Sequence, residues 1–286
     1  MDLPLFQLDA FADRLFAGNP AAVLLLPPDG AWPSDDVLQA VAAENNLSET
    51  AFLHPVLPDD AGDPPAEPAY HLRWFTPVVE VDLCGHATLA SAGVLFDDVH
   101  PDADAVRFWT RSGWLHASRP APGRVTLDFP AASLQQATVD PVVREATGVD
   151  PVECLEGMDV FLVLATAQEV RDARPDQARL AALPTRGVVV TAPGDEDGVD
   201  VVSRFFGAAA GIGEDPVTGS AHSQFARYWA ARLGRTSFRA SQLSARGGTV
   251  DVELAGDRAL LTGSYHRFLD GIARLPEAVV TDTGVA

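Results

Sequence analysis

The sequence predicts a mixed α+β protein of two similar lobes, each a curved mixed sheet wrapped around a central helix. Three observations carry this. Arg73-Trp74-Phe75, a short loop and Cys84-Gly85-His86-Ala87 are echoed by Arg204-Phe205-Phe206, a loop and Thr218-Gly219-Ser220-Ala221, and the two glycines stand 134 residues apart in a chain of 286. Each copy then opens a segment of small and apolar residues, to Phe96 and to Leu233, and a helix apolar on nearly all faces has to be enclosed. Strands and helices interleave, yet hairpins are frequent, which favours mixed sheets over a doubly wound parallel one.

The elements follow in order. Residues 3–9 alternate as a strand, and the continuous apolar run 21–26 reads as a buried strand, with the loop Phe16-Ala17-Gly18-Asn19-Pro20 between them. Ser34 starts a helix with Asp35 and Asp36 in its first turn and Val37, Leu38, Val41 and Ala42 on one face, ending near Asn45-Asn46. A strand begins in Leu47-Ser48-Glu49-Thr50-Ala51-Phe52-Leu53, and the Pro-, Asp- and Gly-rich stretch 59–68 is a surface loop. Residues 70–75 form a strand, 85–96 the first buried helix, and 106–110 with 114–118 a hairpin across Arg111-Ser112-Gly113. Arg119-Pro120-Ala121-Pro122-Gly123 reads as the boundary, giving lobes 1–119 and 120–286, with the tail 266–286 returning to the first lobe. Strands are expected near 124–129, 160–165, 187–191 and 201–206, and a helix from Asp140-Pro141 to Gly148. The second buried helix spans 219–233 with Gly234 at its end, and 249–254 with 259–264 forms a last hairpin.

Composition excludes several functions. The chain has 40 acidic residues against 20 basic ones, all arginine, for a net charge of −20. Without lysine there is no Schiff-base or P-loop lysine. The acidic balance argues against nucleic-acid binding, which needs a basic face. Coding bias towards Arg, Ala, Asp and Gly and adaptation to high salt both account for this composition. No apolar run approaches the ~20 residues of a membrane helix. The start Met1-Asp2-Leu3-Pro4 lacks the basic region of a signal peptide. Cys84 and Cys154 are too few for a disulfide framework, so a cytoplasmic location is expected.

Two helix N-termini facing one cleft would make paired anion sites, suited to a small carboxylate. Near them stand three groups that could move protons. Glu49 lies at a helix-to-strand junction: a partly desolvated acid or base, or a solvated loop residue. His86 follows Gly85 at a helix start, where the dipole disfavours imidazolium and a neutral, hydrogen-bonding ring is expected. Asp215, in Glu214-Asp215-Pro216, is a second acid/base group or a simple turn residue. Ser220 reads as a ligand-binding hydroxyl, since no G-x-S-x-G elbow surrounds it. Cys84 is either a thiolate activated by the helix start or a small buried residue. No His or Cys spacing suggests a metal site, and Gly211-Ile212-Gly213 is not a nucleotide fingerprint.

Six segments together resemble the PhzF family of phenazine biosynthesis-like proteins, in family order: Phe6-Gln7-Leu8-Asp9-Ala10-Phe11, Gly18-Asn19-Pro20-Ala21-Ala22-Val23, Asn46-Leu47-Ser48-Glu49-Thr50-Ala51-Phe52, Arg73-Trp74-Phe75-Thr76-Pro77, Leu83-Cys84-Gly85-His86-Ala87-Thr88 and Glu214-Asp215-Pro216-Val217-Thr218-Gly219-Ser220-Ala221. The resemblance implies the diaminopimelate epimerase-like fold, a homodimer, no cofactor and an active site between the lobes. It places the acid/base glutamate on Glu49, with His86 and Asp215 as its catalytic companions. Gly85, Gly219, Ser220, Asn19 and Cys84 would bind substrate. The implied activity is a cofactor-independent isomerase moving a proton on a small carboxylate, as in the family's best-known isomerisation of a dihydro-hydroxyanthranilate. Two other readings stand beside it: an epimerase or racemase using Cys84, and a non-catalytic ligand-binding protein. The epimerases use two cysteines, one per half. Thr218 stands where the second would fall, so a symmetric two-thiol racemase does not match.

Overall fold

The computed structural model describes residues 1–276. In the N-terminal half the strands form a closed ring. Asp2–Ala10 pairs antiparallel with Asn19–Leu25, which runs parallel to Glu49–His54; Ala69–Phe75, Ala105–Thr110, Gly113–Ala121 and Arg124–Pro130 follow in turn. The last strand, Arg258–Arg274, closes the ring by pairing with Arg124–Pro130 through its first part and with Asp2–Ala10 through its second.

Inside the ring lies the helix Gly85–Val94, every residue of which is buried. Its alanines and glycines keep it thin enough to fit: a Cβ on Gly93 would sit 3.0 Å from the ring of Tyr265. Thr88 and Ser91 donate their hydroxyls back to the carbonyls of Cys84 and Ala87, which satisfies them in apolar surroundings.

A second sheet grows from the shared strand. Arg258–Arg274 also pairs with Gly248–Ala255, followed by Ser237–Gln242, Val201–Phe206, Val188–Pro193, Val160–Val163, Glu153–Glu156 and Gln135–Ala137. It curls around the helix Gly219–Leu233, whose Phe225 and Trp229 are fully buried and join the core that also packs Gly85–Val94. Burying each ring contributes roughly 1.5–3 kcal/mol, enough to hold a helix whose own propensity is ordinary. The outer face is covered by Pro141–Thr147, Ala167–Asp172 and Gln177–Ala181, packed through Val143, Val170 and Leu180. Both sheets mix parallel and antiparallel neighbours around one helix, as the sequence predicts.

Three details differ from expectation. Ser34 occupies the N-cap of helix Asp35–Asn45, but its side chain makes no capping bond. Arg119–Gly123, read as a linker, is the tip of the hairpin joining Gly113–Ala121 to Arg124–Pro130, with Gly123 at φ 71°. Proline is tolerated there because the tip carries no ladder bonds at those positions. The short helices Ala167–Asp172 and Gln177–Ala181 carry too few apolar positions to announce themselves. The returning tail pairs with the first strand as far as Arg274, while its residues 277–286 lie outside the described residues. Among the described residues, no helix is long and apolar enough to cross a membrane.

Candidate active site

The two sequence copies become two copies of one device. Arg73 forks onto Glu80 at 2.7 Å through both nitrogens, and Arg204 onto Glu214 at 2.6 and 2.9 Å. These pairs tie the short strands Glu80–Val81 and Glu214–Asp215 to Ala69–Phe75 and Val201–Phe206. From each short strand the chain turns into a central helix. The helix starts meet head on: a Cβ on Gly85 would lie 3.2 Å from Gly219 Cα. Cys84 and Thr218 hold the N-cap positions without capping through their side chains, and neither first turn carries an acid. Both helix starts are therefore suited to an anion.

A cleft of about 480 Å³ opens between them, lined by Glu49, Cys84, Gly85, His86, Asp215, Thr218, Gly219 and Ser220, with Met158, Arg186 and Phe205 among its walls. Of the residues expected at the site, all but Asn19 line it. Asn19 is fully buried behind the cleft. The expectation that it binds substrate is corrected: it touches His86 and Asp215 instead.

Glu49 opens strand Glu49–His54 just after Asn46, whose left-handed backbone (φ 49°) stops the preceding helix. Asn45 pins the junction with a 3.0 Å bond to Thr50 Oγ1. Glu49 is buried, which settles the two readings of its position in favour of a desolvated carboxylate. Its Oε2 lies 3.0 Å from His86 Nε2, at ion-pair distance, yet this enclosed oxygen accepts no aligned hydrogen bond. Asp215 Oδ1 accepts from Asn19 Nδ2 at 2.8 Å, and its Oδ2 from the Thr218 hydroxyl. Asn19 Nδ2 also donates to the Val217 carbonyl at 3.0 Å and lies 3.0 Å from His86 Nδ1.

Crowding out of water shifts the titrations of His86, Cys84 and Asp215. Burial opposes charge on His86, but Cys84 and Glu49 outweigh it and draw its pKa well above the ordinary value. The helix-dipole expectation of a lowered histidine thus yields to a carboxylate at contact distance. Burial, then Glu49, push the Cys84 thiol up to about 11 despite His86, which favours the small buried residue over the thiolate among the two readings of this position. Burial pushes Asp215 up to about 6, seconded by Glu49 and opposed by His86, Thr218 and Asn19.

The Asp215 shift has a measurable consequence. An acid whose native pKa exceeds its unfolded one binds its proton more tightly when folded. Its stabilising contribution is complete below about pH 4, the unfolded pKa, and is lost as pH rises through the folded value of about 6. Relative to Asp215→Asn, the wild-type protein should lose on the order of 2–3 kcal/mol across that window. Urea unfolding of both proteins at the two ends of the window checks this, and an unchanged difference refutes it.

Glu49, Cys84 and His86 each bring one ligand atom within 4.8 Å of the others, a grouping invisible to His and Cys spacing because Glu49 comes from another element. The surroundings do not suit a metal. An imidazole bound through Nε2 carries its proton on Nδ1 and gives it to an acceptor. Here Nδ1 faces the amide nitrogen of Asn19, a donor.

Sequence reasoning missed Arg186, the one cation among the described residues lining the cleft. Its guanidinium forks onto Asp159, whose side chain is fully buried, and reaches Ser220 Oγ at 3.0 Å. Gln224 of the second central helix holds Asp159 at 2.6 Å. A lone arginine after Pro184-Thr185 offers no pattern by which to find it.

Comparison with known proteins identifies the family and the fold. The family model described as phenazine biosynthesis-like protein matches residues 8–264. A Pseudomonas aeruginosa protein named an uncharacterized isomerase is 46% identical over 275 residues, covering 96% of this chain and 100% of its own. The crystal structure of a PhzF-family protein from Enterococcus faecalis superposes with a TM-score of 0.86 at 40% identity, covering 96% of this chain and 100% of that one. A hydroxyproline epimerase from Agrobacterium vitis shares the fold at 14% identity and a TM-score of 0.57, covering 95% and 92%. With its duplicated helix starts, its buried carboxylate pair and a family match over nearly its whole length, the chain belongs to the PhzF family of phenazine biosynthesis-like proteins.

Proposed function

We propose that this isomerase works without a cofactor and moves a proton on a small carboxylate-bearing substrate. The observation that carries the reading is the enclosed, unbonded Oε2 of Glu49, which lies beside His86 in the same cleft as Asp215 and the two helix starts. Glu49 takes the proton from carbon and returns it. His86 and Asp215 polarise the developing enolate or dienolate and assist the return. The N–H groups at Gly219 and Ser220, with Arg186 and the Ser220 hydroxyl, receive the substrate carboxylate. Those at Gly85 receive the oxyanion that develops, a preorganised donor set whose single members are worth ~10²–10³-fold in comparable sites. The protein is taken to be a homodimer, as the family resemblance implies, and to act in the cytoplasm, as its two cysteines suggest.

The epimerase reading with Cys84 as base is disfavoured by a thiol held at about 11, since the thiol rather than the reactive thiolate then prevails near neutral pH. The ligand-binding reading keeps the pocket and needs no proton transfer. Incubation in D2O with a panel of cyclic and amino carboxylates, including a dihydro-hydroxyanthranilate, separates the two. We expect one member of the panel to acquire solvent deuterium on carbon, read by mass spectrometry. A carboxylate that binds in the cleft with no exchange would favour the non-catalytic protein and overturn the proposal.

A further inference from the structure

We propose that Asn19 is a positioning residue that keeps His86 Nδ1 bare and so fixes the ring proton on Nε2, against Glu49. The argument is one of donors and acceptors. Asn19 Nδ2 sits 2.8 Å from Asp215 Oδ1, 3.0 Å from the Val217 carbonyl and 3.0 Å from His86 Nδ1. A carbonyl oxygen can only accept, and a carboxylate accepts when ionised. The amide is therefore oriented with its nitrogen among these three, and Oδ1 is left buried without a partner. An amide nitrogen offers no lone pair to a donor. A proton on His86 Nδ1 would thus face an amide nitrogen that cannot accept it, whereas a bare Nδ1 can take the hydrogen of the Cys84 thiol, whose sulfur lies 3.6 Å away. The single proton of a neutral ring belongs on Nε2, 3.0 Å from Glu49 Oε2.

Four polar groups face the ring: Glu49, Cys84, Asp215 and Asn19. Glu49 and Cys84 favour a second proton on it. Asn19 opposes that proton at the one nitrogen that could take it. The result is a neutral ring whose one hydrogen sits on the Glu49 side, at contact distance from the carboxylate, instead of on the far side of the ring. The tautomer rests on contacts alone. Its use in catalysis rests on the isomerase reading above.

The protein supplies its own reference. His222, equally buried, places Nδ1 2.7 Å from the Thr218 carbonyl, an acceptor, while its Nε2 has no partner. His222 should therefore carry the opposite tautomer. In the intact protein labelled with 15N-histidine, long-range 1H–15N spectra at alkaline pH, above the raised titration of His86, should show a neutral His86 with a pyridine-like Nδ1 and a protonated Nε2, and His222 with the pattern reversed. Loss of one signal set in His86→Gln assigns the first. Asn19→Asp, nearly isosteric, replaces the opposing amide by an acceptor and should protonate Nδ1. A wild-type His86 whose neutral ring keeps its single proton on Nδ1 overturns the proposal, and so does a neutral ring in Asn19→Asp with Nδ1 still bare. If Asn19→Asp does not fold, the wild-type spectrum decides alone. Where deuterium wash-in is measurable, Asn19→Asp should slow it about 10²-fold with KM little changed, as expected of a misplaced proton carrier. Failure of wash-in in the wild-type protein, with the tautomers as stated, sinks the isomerase reading and leaves this one standing.

Discussion

Glu49→Gln should slow deuterium entry at the substrate carbon by about 10²–10⁴-fold, the range lost when a positioned acid/base group is removed. Glutamine fills the same space but cannot take a proton from carbon. The fold should tolerate it, because Oε2 accepts no aligned hydrogen bond and the strand Glu49–His54 is held by its ladder and by the Asn45–Thr50 bond. KM should change little, since the proposed mechanism seats the substrate carboxylate against Gly219, Ser220 and Arg186, away from this side chain. A second effect is independent of any substrate. Glu49 is one of the groups that raise His86, so its loss should bring the His86 pKa down, readable by the same histidine NMR. Wash-in at the wild-type rate would eliminate Glu49 as the base.

Gly85→Ala should cost about 10²-fold in kcat while leaving the unfolding midpoint close to wild type. The added Cβ would sit 3.2 Å from Gly219 Cα and 3.7 Å from Gly219 N, so what it meets is backbone, not the tip of a flexible side chain. One helix start must back away by a few tenths of an ångström. The anion donors of both helices then lose their register with each other, and with Glu49. Misplacing reacting groups by about 1 Å can cost about this much, and here the two donor sets move against each other at once. The cost to folding is small, because alanine is a better helix former than glycine and offsets part of the crowding. A variant with normal kcat would mean that the facing helix starts do not set the reaction geometry.

Much of this was legible in the sequence because the gene repeats itself. The Arg-aromatic-Phe strands, the Cys84-Gly85 and Thr218-Gly219 turns and the small-residue helices fix what each half looks like. Local patterns also located Glu49, His86 and Asp215. What sequence could not give was proximity. The dipole argument for a neutral His86 and a reactive Cys84 treats each helix start as if it were alone. The first fails because Cys84 and Glu49 lie against the ring of His86, and the second gives way to the buried-residue reading because the ring of strands excludes water and Glu49 arrives from another strand. Asn19 read as a substrate ligand because it stands in a motif, and only packing shows that it lies behind the cleft. Arg186 depends on Asp159 and Gln224, residues 27 and 38 positions away from it in the chain, and no short-range signal links them.

The strand Arg258–Arg274 has a further consequence for how this protein comes into being. Asp2–Ala10, made long before Arg258–Arg274, must wait for that strand before its open edge is covered. Until then the nascent N-terminal half exposes backbone donors and acceptors, and its inner helix cannot be sealed from solvent. Contacts spanning this much sequence make for slow maturation and a long window of vulnerability to aggregation. A chain released short of Leu261 could not close the barrel at all, so quality control of synthesis is built into the topology.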